Sequence, residues 1–358
     1  MTTVTTATQI ADPASAARTL LRLNTAYFQS KVLQSAVELG LFALLAEEPA
    51  TAETVLDRLD VRARPGVDFL DALVGLGLLE RTDGRYSNRP EAAVFLVPGA
   101  PGYLGGSIAQ HARRHYRSWA SLTDVLRNEP AAAGSPPATA GGDPAKVQLD
   151  FHKDFENLDN VRRLMGHMDA FNTFVAHELG RCVDWSRHRT FLDVGGARGN
   201  VAAHLVRAHG HLRGGVFDLP AVRPLFDEHM AALGTASQVG FTAGDFFTDP
   251  LPESDVVILG HVLHDWPPAA REQLLARVFT AVRPGGSVVV YDAMLNDERD
   301  DAVALLQSLN CSIMRDGGSE YTVAECRGYA ERAGFRFESA ERVESLTGDL
   351  VLIASKPS

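Results

Sequence analysis

Phe191-Leu192-Asp193-Val194-Gly195-Gly196-Ala197-Arg198-Gly199 decides the fold of this chain. A short apolar run ends on an acid, two glycines let the backbone turn and approach a ligand, and Gly199 lets a helix start close behind. In an open α/β sheet a ligand sits beyond the carboxyl ends of the strands where strand order reverses, which places Asp193 to Asn200 at the pocket. Taken alone, the stretch leaves a tight strand-to-helix turn with no ligand as the lesser alternative. Further apolar runs at 189–194, 214–218, 238–243, 254–259 and 287–291 alternate with helical stretches, a pattern that predicts a parallel sheet covered on both faces. Phe335 to Val343 and Leu350 to Ala354 are joined by a short turn around Thr347-Gly348, too short for a crossover helix, so an antiparallel hairpin closes the sheet.

Toward the amino terminus, apolar residues recur at helical spacing from Ala14 to Leu45 and predict two amphipathic helices. Short helices over Thr51 to Leu59 and Pro65 to Leu76, then a hairpin across Thr82-Asp83-Gly84, complete a winged helix. Its would-be recognition helix carries Asp68 and Asp71 and no base after Arg64, which disfavours phosphate contact. Residues 1–100 hold nine Lys+Arg against twelve Asp+Glu, so the expected roles are dimerisation and pocket covering. The expected domains are 1–110, a helical linker with substrate-pocket helices at 111–180, and 181–358. Residues 130–146, rich in proline, glycine and alanine, read as a mobile loop. A helix over Asn157 to Gly180 presents Met165, Met168 and Phe171, either as core or as the wall of an aromatic-substrate pocket.

The chain has 358 residues, 45% of them hydrophobic, enough for two domains with ordinary cores. A net charge of −11 disfavours a broad nucleic-acid surface and points to a small-molecule partner. Cys182, Cys311 and Cys326 are far apart and form no Cys-x-x-Cys pair, which argues against a disulfide framework or a zinc knuckle. No basic-then-apolar leader and no run of ~20 apolar residues occurs, so no membrane partner and a cytoplasmic location are expected.

A dinucleotide fingerprint fails at Ala197 and Asn200. Asp218, closing the second strand in Val216-Phe217-Asp218-Leu219-Pro220, suits both hydroxyls of a ribose. Gly244-Asp245-Phe246-Phe247 offers a carboxylate to an adenine amino group and a ring to its face. No phosphate-loop lysine is present, and glycines with two acids suit a ligand whose far end is cationic. S-adenosylmethionine fits those requirements.

Asp193-Val-Gly-Gly-x-x-Gly, Phe217-Asp218-Leu219-Pro220, Gly244-Asp245-Phe246-Phe247, His261-Val-Leu-His264-Asp265-Trp266, Arg283-Pro284-Gly285-Gly286 and Gly317-Gly318-Ser319-Glu320-Tyr321-Thr322 follow one another along the chain. In these motifs the chain resembles the S-adenosylmethionine-dependent O-methyltransferases of the caffeate, hydroxyindole and antibiotic-tailoring group. The resemblance implies a Rossmann-like class I methyltransferase sheet with a carboxy-terminal antiparallel hairpin, an amino-terminal, mainly α winged-helix dimerisation domain, and a homodimer. It matches His264 to the catalytic base, Glu320 to an acid beside it, Asp218 to the ribose acid, and Asp245 and Phe246 to adenine contacts. Asp292 stands where plant members have a glutamate, and Gly260 where they have a lysine.

A proton acceptor near neutrality suits methyl transfer to a hydroxyl, so His264 is expected as general base with Glu320 or Asp292 orienting its ring. The alternative is a structural bridge from His264 to Asp265. Cofactor contacts are expected from Asp193, Gly195, Gly196, Gly199, Asp218, Leu219, Asp245, Phe246, Gly260, His261 and Trp266, with His261 equally placed to pack. Substrate contacts are expected from Met165, Met168, Phe171, Met314 and Arg315. The fork of Arg315 suits an acceptor carboxylate, with an ordinary ion-paired arginine as the alternative. Tyr321, where the resembling enzymes commonly carry arginine, hints at transfer to carbon. His264, Asp265 and Asp316 lack a third histidine at metal spacing, so no metal is expected. The competing readings are a nucleotide-dependent oxidoreductase, a winged-helix regulator sensing an adenosyl ligand, and a relative that binds the cofactor without transferring methyl.

Overall fold

The computed structural model describes residues 12–62, 64–100, 102–127, 155 and 157–358. The expected loop at 130–146 lies outside them. The chain divides into two compact units, the second beginning at Arg113, so the helices after that point belong with the sheet.

The first unit opens with helices Pro13–Asn24, Ala26–Glu38 and Leu41–Glu47. Three helices stand where periodicity predicted two, because Gly40 takes φ +75° and ends the run. Strand β1 (Ala50–Thr51), helices Ala52–Arg58 and Gly66–Gly75, and strands β2 (Leu79–Thr82) and β3 (Arg85–Asn88) form the winged helix, with sheet order β1-β3-β2. Both hairpin residues, Asp83 and Gly84, have positive φ, matching the twist of paired antiparallel strands. Leu41, Phe42, Val55, Leu70, Leu73, Leu79 and Tyr86 make its core. Asp71 accepts from the Tyr86 hydroxyl at 2.7 Å and from Arg81 at 2.6 Å, so one acid of the would-be recognition helix serves the fold itself. The first helix has no buried residue, and Leu20 and Leu23 are 68% and 76% exposed within the single chain. Periodicity there marks an outward apolar stripe.

The second unit carries strands β4 (Thr190–Val194), β5 (Arg213–Asp218), β6 (Val239–Ala243), β7 (Ser254–Gly260), β8 (Val282–Asp292), β9 (Arg336–Arg342) and β10 (Leu350–Ser355) in the order β6-β5-β4-β7-β8-β10-β9. Strands β4 to β8 pair in parallel, and β10 inserts antiparallel between β8 and β9. Strand order reverses at β4, the strand that feeds the glycine turn. Alternation splits each central strand between two cores. Leu192, Val257, Leu259, Val288 and Val290 join the layer of helices Pro268–Ala281 and Val323–Ala333. Phe191, Val256, Ile258, Val289 and Tyr291 join that of helices Leu158–Cys182 and Asn200–Ala208. No helix among the described residues is long and apolar enough to cross a membrane.

Gly260 pairs with Tyr291 between β7 and β8, and a methyl group on it would stand 1.8 Å from the ring carbon Cζ. Glycine here makes room for a buried tyrosine. Gly260→Ala is therefore expected to lower stability by ~1–3 kcal/mol, the usual range for overpacking. Denaturant unfolding checks this, with Gly260→Ala/Tyr291→Leu recovering part of the loss. An unchanged midpoint for the single variant would show that the ring yields freely.

Candidate active site

At the carboxyl end of β4, Asp193 is buried, and its Oδ2 has no hydrogen-bond partner among the described residues. Burial, with the charge of Asp218 adding to it, pushes its carboxyl up to about 7. Asp218 ends β5 and accepts from the Ala197 amide at 2.8 Å and the Leu219 amide at 2.7 Å. Its carboxyl rises to about 6 because burial outweighs those two bonds. Between the acids the turn runs through Gly195, Ala197 and Gly199, all with positive φ. A methyl on Gly196 would lie 2.6 Å from Cγ of Asp193, so the turn folds directly over that carboxylate.

Beyond β6, Asp245 accepts from the Phe247 amide at 2.8 Å and Asp249 accepts from the Asp245 amide at 2.8 Å, which tightens the turn carrying Phe246. Trp266 is buried and meets Phe246 edge-on at 5.8 Å and Phe247 at 4.6 Å. It lies behind those rings in the core, alongside the partly buried Phe246. Leu219 is half-buried against Val222 and Leu225.

The expected acceptor wall divides. Met165 is buried with Val161, Ala197, Val222 and Leu225 beneath the glycine turn, whereas Phe171 packs on His167 at 5.0 Å, itself 5.6 Å from His115. Met165 and Phe171 stand six positions apart on the helix, a rotation of about 120° once full turns are removed, so one stripe cannot hold both. Met168 is half-buried on the same helix. Met314 is buried at the end of helix Ala302–Met314 and Arg315 is half-buried at its cap.

After β7 the chain makes a single 3₁₀ turn, Leu263–Asp265. Its His264 Nδ1 lies 2.7 Å from Glu320 Oε1 and 3.1 Å from Asp292 Oδ1. Burial works against a charged ring, but Cys311, Asp292 and Glu320 together hold the proton affinity of His264 well above the ordinary histidine value. Burial pushes the Asp292 carboxyl up, opposed by His264 and by the hydroxyl of Tyr321, which donates to Oδ2. Asp292 and Glu320 thus flank one ring nitrogen, although they lie 28 residues apart in sequence.

His261 turns with φ +52° and stacks parallel to His264 at 5.7 Å between centroids. It also pairs with Asp349 at 3.1 Å and packs edge-on to Tyr291. Burial would raise the Asp349 carboxyl, but His261, Thr347 and Ser345 hold it down to about 2. His261 is consequently a buried ion-pair partner behind the ring of His264.

Sequence reading passed over Arg271, although it holds this geometry. Its buried Nε donates to the carbonyls of Leu263 at 2.9 Å and Trp266 at 2.7 Å, and its Nη2 donates to Ser319 O at 2.6 Å and Oγ at 2.9 Å. The guanidinium also lies 4.7 Å over the Tyr321 ring, and the Ser319 amide donates to His264 O at 2.8 Å. An arginine amid Ala270, Leu274, Leu275 and Val278 was the available signal, since a charge on an apolar stripe requires internal partners. Cys311, 3.9 Å from Glu320 Oε1, and Asp349 gave no such local sign.

Tyr321 stabilises the Asp292 anion, which in turn favours protonated His264. In Tyr321→Phe, Asp292 binds its proton more tightly and loses charge, so His264 is expected to titrate at lower pH than in the parent chain. Nitrogen-15 NMR of the imidazole checks this, and an identical titration would show that the Tyr321 contact does not reach the ring.

The family model of the O-methyltransferase domain matches residues 119–336, more than half of the chain, and that of the O-methyltransferase dimerisation domain matches residues 21–98. The chain is similar to the N,N-dimethyltransferase OxyT of Streptomyces rimosus, with 49% identity over 96% of this chain and 98% of that protein. It is 43% identical to the tetracenomycin polyketide synthesis 8-O-methyl transferase TcmO of Streptomyces glaucescens, over 94% of this chain and 96% of that one. Among solved structures it resembles human N-acetylserotonin methyltransferase in complex with S-adenosylmethionine, with TM-score 0.85, 26% identity and coverage of 98% and 100%. The sheet order, the acids at its carboxyl edge and these matches together place the chain in the S-adenosylmethionine-dependent O-methyltransferase family, with an amino-terminal dimerisation domain.

Proposed function

We propose that the protein transfers the methyl group of S-adenosylmethionine to a hydroxyl of a small aromatic secondary metabolite, with His264 as general base. The carrying observation is the pairing of His264 Nδ1 with Glu320 and Asp292, which leaves Nε2 as the ring nitrogen free to take an acceptor proton. The His264 side chain keeps 18% of its surface open, against 1% for Glu320 and none for Asp292. Only the ring has access to an incoming hydroxyl.

The cofactor fits the residues present. Asp193 is a buried carboxylate whose Oδ2 lacks a donor among the described residues, and with Asp218 it forms an acidic pair that a cationic amino-acid and sulfonium end would neutralise. Asp218 spends one lone pair of each oxygen on backbone amides, leaving the others for ribose hydroxyls. Phe246 presents a ring for the adenine, held in place by Phe247 and Trp266. Bound, the cofactor supplies an electrophilic methyl on sulfur. Gly195, Gly196 and Gly199 shape its cradle, and Leu219 and Asp245 border it.

Uptake of the acceptor proton at Nε2 turns the ring into an imidazolium, which the two acids stabilise through Nδ1. Tyr321 needs no change of acceptor atom to account for it, since its hydroxyl supports Asp292. Met168, Phe171, Met314 and Arg315 are proposed to surround the acceptor, with Arg315 favouring one that carries a carboxylate. One observation favours a second reading. The relative OxyT, at 49% identity, is named an N,N-dimethyltransferase, so an amine on a similar aromatic scaffold is the alternative acceptor. The outward stripe of Leu20 and Leu23 and the dimerisation-domain match support a homodimer. The acidic amino-terminal unit argues for a small molecule over nucleic acid.

Calorimetric titration with S-adenosylmethionine and S-adenosylhomocysteine, followed by assays on hydroxylated and amino-substituted polycyclic aromatics, tests the proposal. His264→Ala is expected to keep parental cofactor affinity and to lose about 10²–10⁴ in methyl transfer. Undiminished transfer in that variant would remove His264 from the chemistry. The base acts unprotonated, so kcat/KM of the parent enzyme is expected to rise with pH through a value above 6.5. Glu320→Gln deletes a charge that holds the proton on the ring, and its acid limb is expected at lower pH. An unmoved limb would assign the titration to another group.

A further inference from the structure

Cys311 belongs to helix Ala302–Met314, its thiol lies 3.9 Å from Glu320 Oε1, and it groups with a ring nitrogen of His264. We propose that His264, Cys311 and Glu320, with Asp292 alongside, form a binding site for a divalent cation of the zinc or cadmium class, and that its occupancy switches methyl transfer off. The inhibitory part rests on His264 being the base.

One nitrogen, one sulfur and one carboxylate oxygen lie within 4.8 Å of one another. Tetrahedral bonds of ~2.0–2.3 Å place donor atoms about 3.5 Å apart. Cys311 Sγ and Glu320 Oε1, at 3.9 Å, are already near that spacing, and Nδ1 and Oε1, at 2.7 Å, need to open by less than about 1 Å. A second observation points to a cation independently. Glu320 Oε2 is buried and has no hydrogen-bond partner among the described residues, and Asp292 Oδ1, also buried, receives no hydrogen bond there although it stands 3.1 Å from His264 Nδ1. Two buried carboxyl groups and a thiol thus share a single ring cation.

The donor set selects the ion. A thiol and an imidazole favour zinc or cadmium over magnesium or calcium, which prefer oxygen throughout. The cradle is braced, since Ser308 Oγ accepts from the Glu320 amide at 3.1 Å and Tyr321 donates to Asp292. On binding, the thiol proton and the Nδ1 proton of the imidazolium leave to solvent, and no electrons are exchanged. The neutral ring then carries its remaining hydrogen on Nε2. It has no lone pair left for the acceptor proton, so the base is silenced without the ion entering the cofactor cradle.

The test is titration of the full-length protein with cadmium, reading the ultraviolet thiolate-to-metal charge-transfer band, and with zinc, reading methyl transfer. One equivalent per chain is expected to develop the band. Cys311→Ser and Cys311→Ala are expected to weaken ion binding at least ~10-fold while keeping S-adenosylmethionine affinity, and Cys182→Ser is expected to behave as the parent. Transfer by the parent enzyme should fall in proportion to zinc occupancy, and both Cys311 variants should resist. Absence of the band, or its persistence in both Cys311 variants, would overturn the site. A band that depends on Cys311 while transfer continues at full occupancy would uphold the site and overturn His264 as base.

Discussion

The guanidinium of Arg271 is the contact on which the rest of the site depends. It bridges the carbonyls of Leu263 and Trp266, on either side of His264, to Ser319, the residue before Glu320. Histidine and acid come from segments over fifty residues apart, and this buried cation, together with the Ser319 amide bonded to His264 O, fixes their separation. A buried arginine is tolerated only when its donors are matched, and here two carbonyls, a hydroxyl and a carbonyl of the facing loop meet them, with the Tyr321 ring beneath. The bonding is directional, so the site is positioned rather than merely enclosed.

Around that clamp the protein concentrates buried negative charge at the carboxyl edge of the sheet. Asp193, Asp218, Asp292 and Glu320 are all nearly inaccessible, and Asp349 joins them from the connection into β10. Each is costly to bury alone. Asp218 is satisfied by two amides, whereas Asp193, Asp292, Glu320 and Asp349 each retain one oxygen without a donor among the described residues, the last three balanced by His264, Tyr321 and His261. The unsatisfied oxygens are the places where the edge of the sheet holds negative charge in excess of its own donors.

Much of the fold was legible because it follows from short-range pattern. A continuous apolar run such as 256–259 can be buried on both faces only between helices, and the span from Val343 to Leu350 is too short for a crossover. Gly40 shows the limit of such reading, since periodicity continues through it and only its left-handed backbone ends the helix. The first helix shows another, because an apolar stripe has the same spacing whether it faces a core or a partner. The Met165 to Phe171 stripe divided for a geometric reason, as residues six apart on a helix do not share a face.

By itself the sequence determined the α/β class, the closing hairpin, the glycine turn with its acids, and the motif order that marks the family, because each depends on residues near one another in the chain. Tertiary structure alone decided which acids meet His264 Nδ1, that Tyr321 supports Asp292, that Arg271 ties the two segments, that His261 is paired with Asp349, and that Cys311 faces the ring. Those contacts join side chains separated by tens of residues. Nothing in local spacing encodes such distances, which are set only when helices and strands pack at fixed angles around a common core.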